Sequence, residues 1–394
     1  MWNRWFLRLF ILLIGALLIL SGCNQLTSRD QVLETVIVVQ TSTTYTHQAQ
    51  RPVDQEPVDL IGPALPLDAT PQAALAETIT PLTSDFEPCG HPSGKVQIPA
   101  AHRALLAWSS DGINFQRPED RQEGFVMDQI SVPDAVALPS GRILLYLVTG
   151  CRIVDGVPQE SNNIAVVVSD QEGKPGSWIF KNVHFKGLPE MYGDNPLDPN
   201  AVVLPDGNIS LFTTVFWQDE EPLERSVESD KSAIAAFLST DGGFTFTFRN
   251  IVYPDNIDPE NYRFTETNWQ ILTGEPSEAK GMAFSSDDGF TFQPLGSFPD
   301  KRAVQEIAET ETPGVYRSYI SGAEGILSYI ATSDPWTTWE LEPGFRLEVD
   351  PSSGLESCDV RFPTVVKLTP DRYLMIYETT IPGCQCIDVD PVCE

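Results

Sequence analysis

Residues 198–212 read DPNAVVLPDGNISLF, and the same phrase returns as VPDAVALPSGRILLYL at 132–147 and as FPTVVKLTPDRYLMIY at 362–377. Each copy is a proline, one further residue, an apolar run, a Pro/Asp/Gly turn and a second apolar run. Two apolar runs joined by a short turn read as a β-hairpin. A hairpin that recurs along one chain points to a repeat architecture. DPENYRFTETNWQIL (258–272) is a fainter copy, and RAVQEIAETETPGVYRSYI (302–320) is a further candidate. Around these phrases, from about residue 100 onward, other short β-branched and aromatic runs alternate with turn signals, as in ALLAW, NIAVVV, AIAAFL and GILSYIA. No amphipathic helical pattern of three turns interrupts them, so the fold class is all-β.

A second phrase, Ser-x-Asp-x-Gly-x-Thr-Phe, is complete as STDGGFTF (239–246) and SSDDGFTF (285–292). SSDGINF (109–115) is one residue short, and SDQEGKPGSWIF (169–180) and TSDPWTTWEL (332–341) are degenerate forms. The aspartate of such a phrase accepts N–H groups of its own turn, and the glycine supplies the positive φ of the reversal. This pattern resembles the Asp-box, or BNR, repeat of sialidases and related β-propellers. The resemblance implies that Asp111, Asp241 and Asp287 are structural, in loops joining the third and fourth strands of a blade, away from the active site.

Hairpin phrases and boxes together predict five blades, beginning near residues 128, 194, 255, 300 and 358, with six if two have been merged. The domain opens on an outer strand plus box (ALLAWSSDGINF) and closes on an inner hairpin (362–377). These halves predict one blade closed by pairing of N- and C-terminal strands, which protects the last edge.

Propeller ligands sit over the central channel, at the start of the innermost strands. The acids there are Asp128 and Asp134, Asp194 and Asp198, Asp258 and Glu266, Glu306, and Asp359. Carboxylates converging on one axis raise each other's pKa values and divide into acid and base, as glycoside hydrolysis requires. The blade count and the Asp-Pro openings are similar to arabinanase-like and mannoside-acting glycoside hydrolases. In those enzymes the base lies on the first blade, a second Asp on the second and a Glu acid on the third. The similarity implies catalytic roles for Asp134 or Asp128, for Asp198 and for Glu266, with Glu306 and Asp359 as the acids of the remaining blades. Arg361-Phe362-Pro363 resembles the sialidase Arg-Ile-Pro motif, whose arginine grips a sugar carboxylate; Arg317 and Arg263 are the candidates to join Arg361 in that clamp. Trp217, Trp269, Trp336 and Trp339 are candidates for stacking on sugar faces, or for filling wedges between blades. A glycan is thus the expected ligand, cut or merely bound, because fold alone does not separate enzyme from binding module. Serine-hydrolase, nucleotide-binding and zinc-protease motifs are absent from the sequence. No cofactor is expected; Asp388 and Asp390 suggest calcium at most, without the twelve-residue calcium pattern.

The chain has 55 acids against 25 Lys+Arg, a net charge of −30. That field repels nucleic acid and anionic lipid and favours a soluble monomer with a neutral or cationic ligand. At the N-terminus, Arg4 and Arg8 precede an apolar run, Leu9 to Leu20, that ends in Leu-Ser-Gly-Cys23. The run is too short to cross ~30 Å of hydrocarbon. It resembles a bacterial lipoprotein signal, which implies cleavage after residue 22, lipid on Cys23 and an extracytoplasmic, membrane-anchored protein. Residues 23–99, rich in Thr, Pro and Gln, read as a spacer, and 100–394 as the domain. The other six cysteines, Cys89, Cys151, Cys358, Cys384, Cys386 and Cys393, suit disulfides in an oxidising compartment, in any of several pairings.

Overall fold

The computed structural model describes residues 82–193, 195–217, 232–254, 256–274, 281–297, 305–322, 324–331, 339–387 and 391–394. The signal, Cys23, most of the spacer, Asp194, Trp336, Asp388 and Asp390 lie outside the described residues.

The tyrosine-bearing run of the first hairpin shows why these sequences become blades. In Ile143–Val154, Leu144, Tyr146 and Val148 pack toward the following blade, while Ile143, Leu145 and Leu147 pack toward the preceding one. Both faces of the strand are buried, so its sequence is apolar without alternation. Full burial of each such side chain stabilises by roughly 1.5–3 kcal/mol.

Five antiparallel sheets result, each with its innermost strand at the axis. Blade 1 runs Ile130–Ala137, Ile143–Val154, Val157–Ser169 and Trp178–Asn182. Blade 2 runs Leu197–Val203, Ile209–Phe216, Ser232–Ser239 and Thr245–Pro254. Blade 3 runs Ile257–Thr265, Asn268–Gly274, Gly281–Ser286 and Gln293–Ser297. Blade 4 runs Glu306–Glu309, Tyr316–Ser321, Gly325–Ala331 and Glu340–Leu341. Blade 5 takes Arg361–Thr369 and Arg372–Thr380 from the C-terminal end, then His102–Ser109 and Phe125–Asp128 from the N-terminal end. The five-bladed propeller and its closure by strands from both ends are therefore as the sequence predicts. The core is the set of five apolar wedges between neighbouring blades.

All six of those cysteines are paired, Cys89–Cys151, Cys358–Cys386 and Cys384–Cys393. The first ties the segment ahead of the propeller to blade 1. The other two fold the C-terminal tail back, where Val392–Cys393 pairs with Gly94–Lys95.

The loops between third and fourth strands lie at the end of the propeller opposite to where the innermost strands begin. In blade 2, Asp241 Oδ1 accepts the Phe244 and Thr245 N–H groups at 3.2 and 2.9 Å, and Ser239 Oγ accepts Gly243 N–H at 3.0 Å. In blade 5, Asp111 Oδ1 accepts Ile113 and Asn114 N–H, both at 2.8 Å. Blade 3 corrects the sequence register. Asp288, not Asp287, caps the loop, accepting Phe290 and Thr291 N–H at 2.8 and 2.7 Å, while Ser286 Oγ accepts Gly289 N–H at 3.0 Å. Asp287 is exposed. The loop thus has the shorter spacing of residues 109–115, and it reverses without the extra residue present in blade 2. Phe115, Phe246 and Phe292 are buried beneath their loops.

Candidate functional site

The site begins with the proline of the recurrent phrase. The residue before it is Val132, Asp198, Asp258 or Phe362, and in all four blades it has positive φ, between 46 and 51°. Non-glycine residues avoid that region, and a β-branched valine most of all, so the surrounding sheet must enforce the kink. The kink turns that side chain toward the channel mouth. Blades 2 and 3 carry a carboxylate there.

The residue after the proline points sideways to the next blade, and these residues, with Glu306 in the same place in blade 4, form a ring around the axis. Asp134 of blade 1 accepts Ala201 N–H of blade 2 at 2.7 Å. Asn200 of blade 2 accepts Asn261 N–H of blade 3 at 2.8 Å. Between blades 3 and 4 the Ile307 N–H donates to Glu306 Oε1 at 2.8 Å, and the Glu260 carboxyl of blade 3 faces it. Glu306 of blade 4 accepts Val365 N–H of blade 5 at 2.9 Å. Thr364 of blade 5 accepts Ala135 N–H of blade 1 at 2.8 Å. Side-chain bonds thus cross four of the five blade junctions, and at the remaining one Glu260 faces the Ile307 N–H. The Asn200 amide also donates to Asp134 at 3.4 Å and to Glu260 at 3.0 Å, so one nitrogen joins two carboxyls. Thr364 Oγ1 donates to Glu306 at 2.8 Å.

All five ring side chains are buried. Burial pushes Asp134 up to about 7, against the lowering effect of the Ala201 and Asn200 bonds. Burial, helped by the charge of Asp134, pushes Glu306 up to about 8. Glu260 is raised well above the usual range by burial, then by the charges of Glu306 and Asp134. Crowded this way, Glu260 and Glu306 hold protons at neutral pH, and Asp134 is divided between its two forms.

Above the ring, Asp198 and Asp258 are hydrogen-bonded carboxyl to carboxyl. Both are partly exposed in a funnel with an empty volume of about 420 Å³, which Asp134, Glu260 and Phe362 also line. Burial raises Asp198, opposed by the Thr214 and Asp258 bonds. Burial raises Asp258 further, and the charge of Asp198 adds to it, so the proton between them stays with Asp258. Thr214 fixes both: its hydroxyl bonds the Asp198 carboxylate and accepts Asp258 N–H at 3.0 Å.

Of the acids named from sequence, Asp134, Asp198, Asp258 and Glu306 thus meet at the mouth, Asp194 lies outside the described residues, and Asp128, Asp359 and Glu266 lie elsewhere. Asp128 ends the outermost strand of blade 5 and is held by Arg103 at 2.7 and 3.2 Å. Asp359 caps Thr380, accepting its N–H at 2.8 Å, and pairs with Arg361 at 3.3 Å. Glu266 sits exposed on the turn between Thr265 and Asn268, at the far end of its hairpin; Glu260 takes the place expected for it.

The three arginines also stay apart. Arg361 is bound to Glu378 at 3.0 Å and contacts His102, while Glu378 accepts Val132 N–H at 2.7 Å and is pushed up to about 7 by burial. Arg317 forms a two-pronged pair with Glu342 at 2.6 and 3.1 Å, beneath the Asp111 loop of blade 5. Arg263 lies over the Trp269 ring at 5.6 Å. Trp269 is no surface platform: it is buried in the wedge between blades 2 and 3, directly under Gly289.

The residues without a role in the sequence reading are Asn200, Glu260 and Thr364. Aligning the phrases on their prolines would have found them, since each stands one residue beyond. Among the described residues no cluster of three or more His, Cys, Asp and Glu could hold a metal ion.

No protein-family model and no curated protein matches the sequence. Among solved structures the chain is similar to a protein of unknown function from Dyadobacter fermentans DSM 18053, at 11% identity and a TM-score of 0.45, over 75% of this chain and 97% of that one. It is similar to the Hadza microbial sialidase Hz136 at 11% identity and a TM-score of 0.45, over 73% of this chain and 65% of that one. An α-L-arabinanase from Penicillium chrysogenum, complexed with arabinobiose, aligns at 11% identity and a TM-score of 0.41, over 73% of this chain and 98% of that one.

Proposed function

We propose that the propeller hydrolyses glycosidic bonds of neutral glycans at its channel mouth. The observation that carries this reading is the hydrogen-bonded Asp198–Asp258 pair in an open funnel. Asp258, kept protonated by its burial and by the charge of Asp198, is the general acid toward the glycosidic oxygen. Asp134, whose pKa of about 7 leaves an ionised fraction at neutral pH, is the carboxylate that activates water from blade 1. Asp198 touches the acid and sets its proton. A neutral sugar fits better than an acidic one, because Arg361, Arg317 and Arg263 are committed elsewhere and the chain is strongly negative. The test is turnover of a panel of nitrophenyl glycosides. Asp198→Asn and Asp258→Asn are each expected to lower the rate about 10²-fold or more while leaving the fold intact. Unchanged rates would sink the assignment.

A second reading is favoured by one observation: Asp134 already accepts Ala201 N–H and an Asn200 N–H. A carboxylate so occupied suits a propeller that binds glycan without cutting it. Retention of glycans by a protein that turns over no glycoside would select this reading.

We also propose that lipid on Cys23 anchors the domain outside the cytoplasm. The apolar run, the Leu-Ser-Gly-Cys sequence and the three disulfides support this. Labelled palmitate should enter the wild type and not Cys23→Ala; equal labelling of both would refute it.

A further inference from the structure

We infer that the cleft between blades 1 and 2 is a second sugar-binding surface that continues the channel mouth outward, so that the ligand is a chain of several neutral sugar units. This rests on the glycan-directed reading above and names its substrate class. The cleft has an empty volume of about 1040 Å³. Asn163 and Asn182 of blade 1 line one side, and Asn195 and Pro196, from the segment leading into blade 2, line another. Pro196 stands two residues before Asp198, so the wall of the cleft comes within about 7 Å of the funnel along the chain.

The chemistry of the walls selects the ligand. The chain carries 55 acids, yet no Asp or Glu is among the described residues lining the cleft. Arg152, its one guanidinium, is already spent. It donates to Thr149 Oγ1 at 2.8 Å, Asn182 Oδ1 at 2.7 Å and the Asn163 carbonyl at 3.0 Å. Arg152 therefore braces the wall and does not clamp an anion. Among apolar side chains and the His184 ring, the wall presents the carboxamides of Asn163, Asn182 and Asn195, which both donate and accept and so match hydroxyl groups. At the rim, Trp217 is 41% exposed, and its ring meets Tyr192 edge-on at 5.3 Å. Tyr192 is buried and precedes Gly193, which lines the cleft. A large ring held at a fixed angle with an open face is a platform for the C–H face of a sugar.

The experiment measures binding of neutral linear oligosaccharides, from disaccharides to octasaccharides, on a glycan array. Full-length Asp198→Asn protein leaves the probes uncut. Affinity is expected to rise by about 10-fold or more from the shortest to the longest retained series. Trp217→Ala and Asn163→Ala, each added to Asp198→Asn, are expected to abolish that rise. A length dependence that survives both changes, no length dependence at all, or no retained glycan would overturn the inference. Failure of Asp198→Asn to slow hydrolysis would count against the catalytic assignment alone and leave the cleft standing.

Discussion

The two ends of the propeller are both furnished with acids, and their chemistry is opposite. At the far end, Asp111, Asp241 and Asp288 each receive several N–H bonds from their own loop, and those bonds overcome burial and hold the carboxyl below its usual range. At the mouth, Asp134, Glu260 and Glu306 lie deeper and face one another, so they are pushed up, even Glu306, which accepts the Ile307 and Val365 N–H groups. The same residue type is a charged cap in one place and a proton store in the other. What decides is the depth of burial and the nearness of other carboxyls, set against the donors aimed at the carboxylate.

Four measurements break or sharpen that contrast. Asn200→Leu removes the acceptor of Asn261 N–H and the bridge between Asp134 and Glu260. It should cost about 3 kcal/mol in chemical denaturation, because a buried donor is orphaned and two carboxyls lose their partner. A loss near zero would mean that the ring does not hold the blades. Gly243→Ala tests the far end. At φ +97° its Cβ would meet Ile209 and Leu144 at 2.9 Å and press on the Tyr146 hydroxyl, so about 2–3 kcal/mol is expected. A neutral result would show that the loop yields freely.

The third measurement is pH dependence. Glu306 titrates at about 8 in the folded chain. Its value is about 4.3 when unfolded. Between those values the folded state holds the proton and the unfolded state does not, so stability falls as pH rises. The slope is at most about 1.4 kcal/mol per pH unit for one proton. Glu306→Gln should flatten it between about pH 5 and about pH 8. The loop aspartates work the other way, losing their contribution as pH falls below the usual carboxylate range. A melting temperature that rises from pH 5 to pH 8 in wild type would contradict the raised value. The smallest expected effect separates two neighbours: Asp288→Ala should cost about 1–2 kcal/mol and Asp287→Ala less than about 0.5 kcal/mol. Equal losses would put the blade 3 register back in doubt.

The legibility of the molecule follows the same division. Blades could be read because both faces of an inner hairpin are buried, which writes a continuous apolar run into the sequence, and because turns need proline, aspartate and glycine at fixed offsets. The closing of blade 5 was readable for the same reason: half a blade stands at each end. The mouth was harder. Asp134 and Asp198 were visible as acids beside prolines, but their sideways or axial aim depends on the positive φ before the proline. Glu260 and Glu266 are equally acidic and six residues apart, and only the hairpin register tells the ring from the turn. SSDDGFTF offers two serines and two aspartates, and the backbone bonds alone choose between them. Arg361, Arg317 and Arg263 read as one clamp in sequence, and each is held instead by its own carboxylate or ring.

The shared fifth blade carries a consequence for the order of events in folding. His102–Ser109 pairs with Phe125–Asp128 on one edge, and its other edge is filled by Arg372–Thr380, about 270 residues further along the chain. A chain made N-terminus first holds that strand with one bare edge until Arg372–Thr380 has arrived. Contacts of such sequence separation make folding slow, because a long loop must close before they form. The ring of inter-blade bonds then completes in the same event, since Thr364 and Ala135 meet only when blade 5 reaches blade 1. The funnel therefore comes into being at the final step, and any chain that stops short of Arg372–Thr380 has no channel mouth at all.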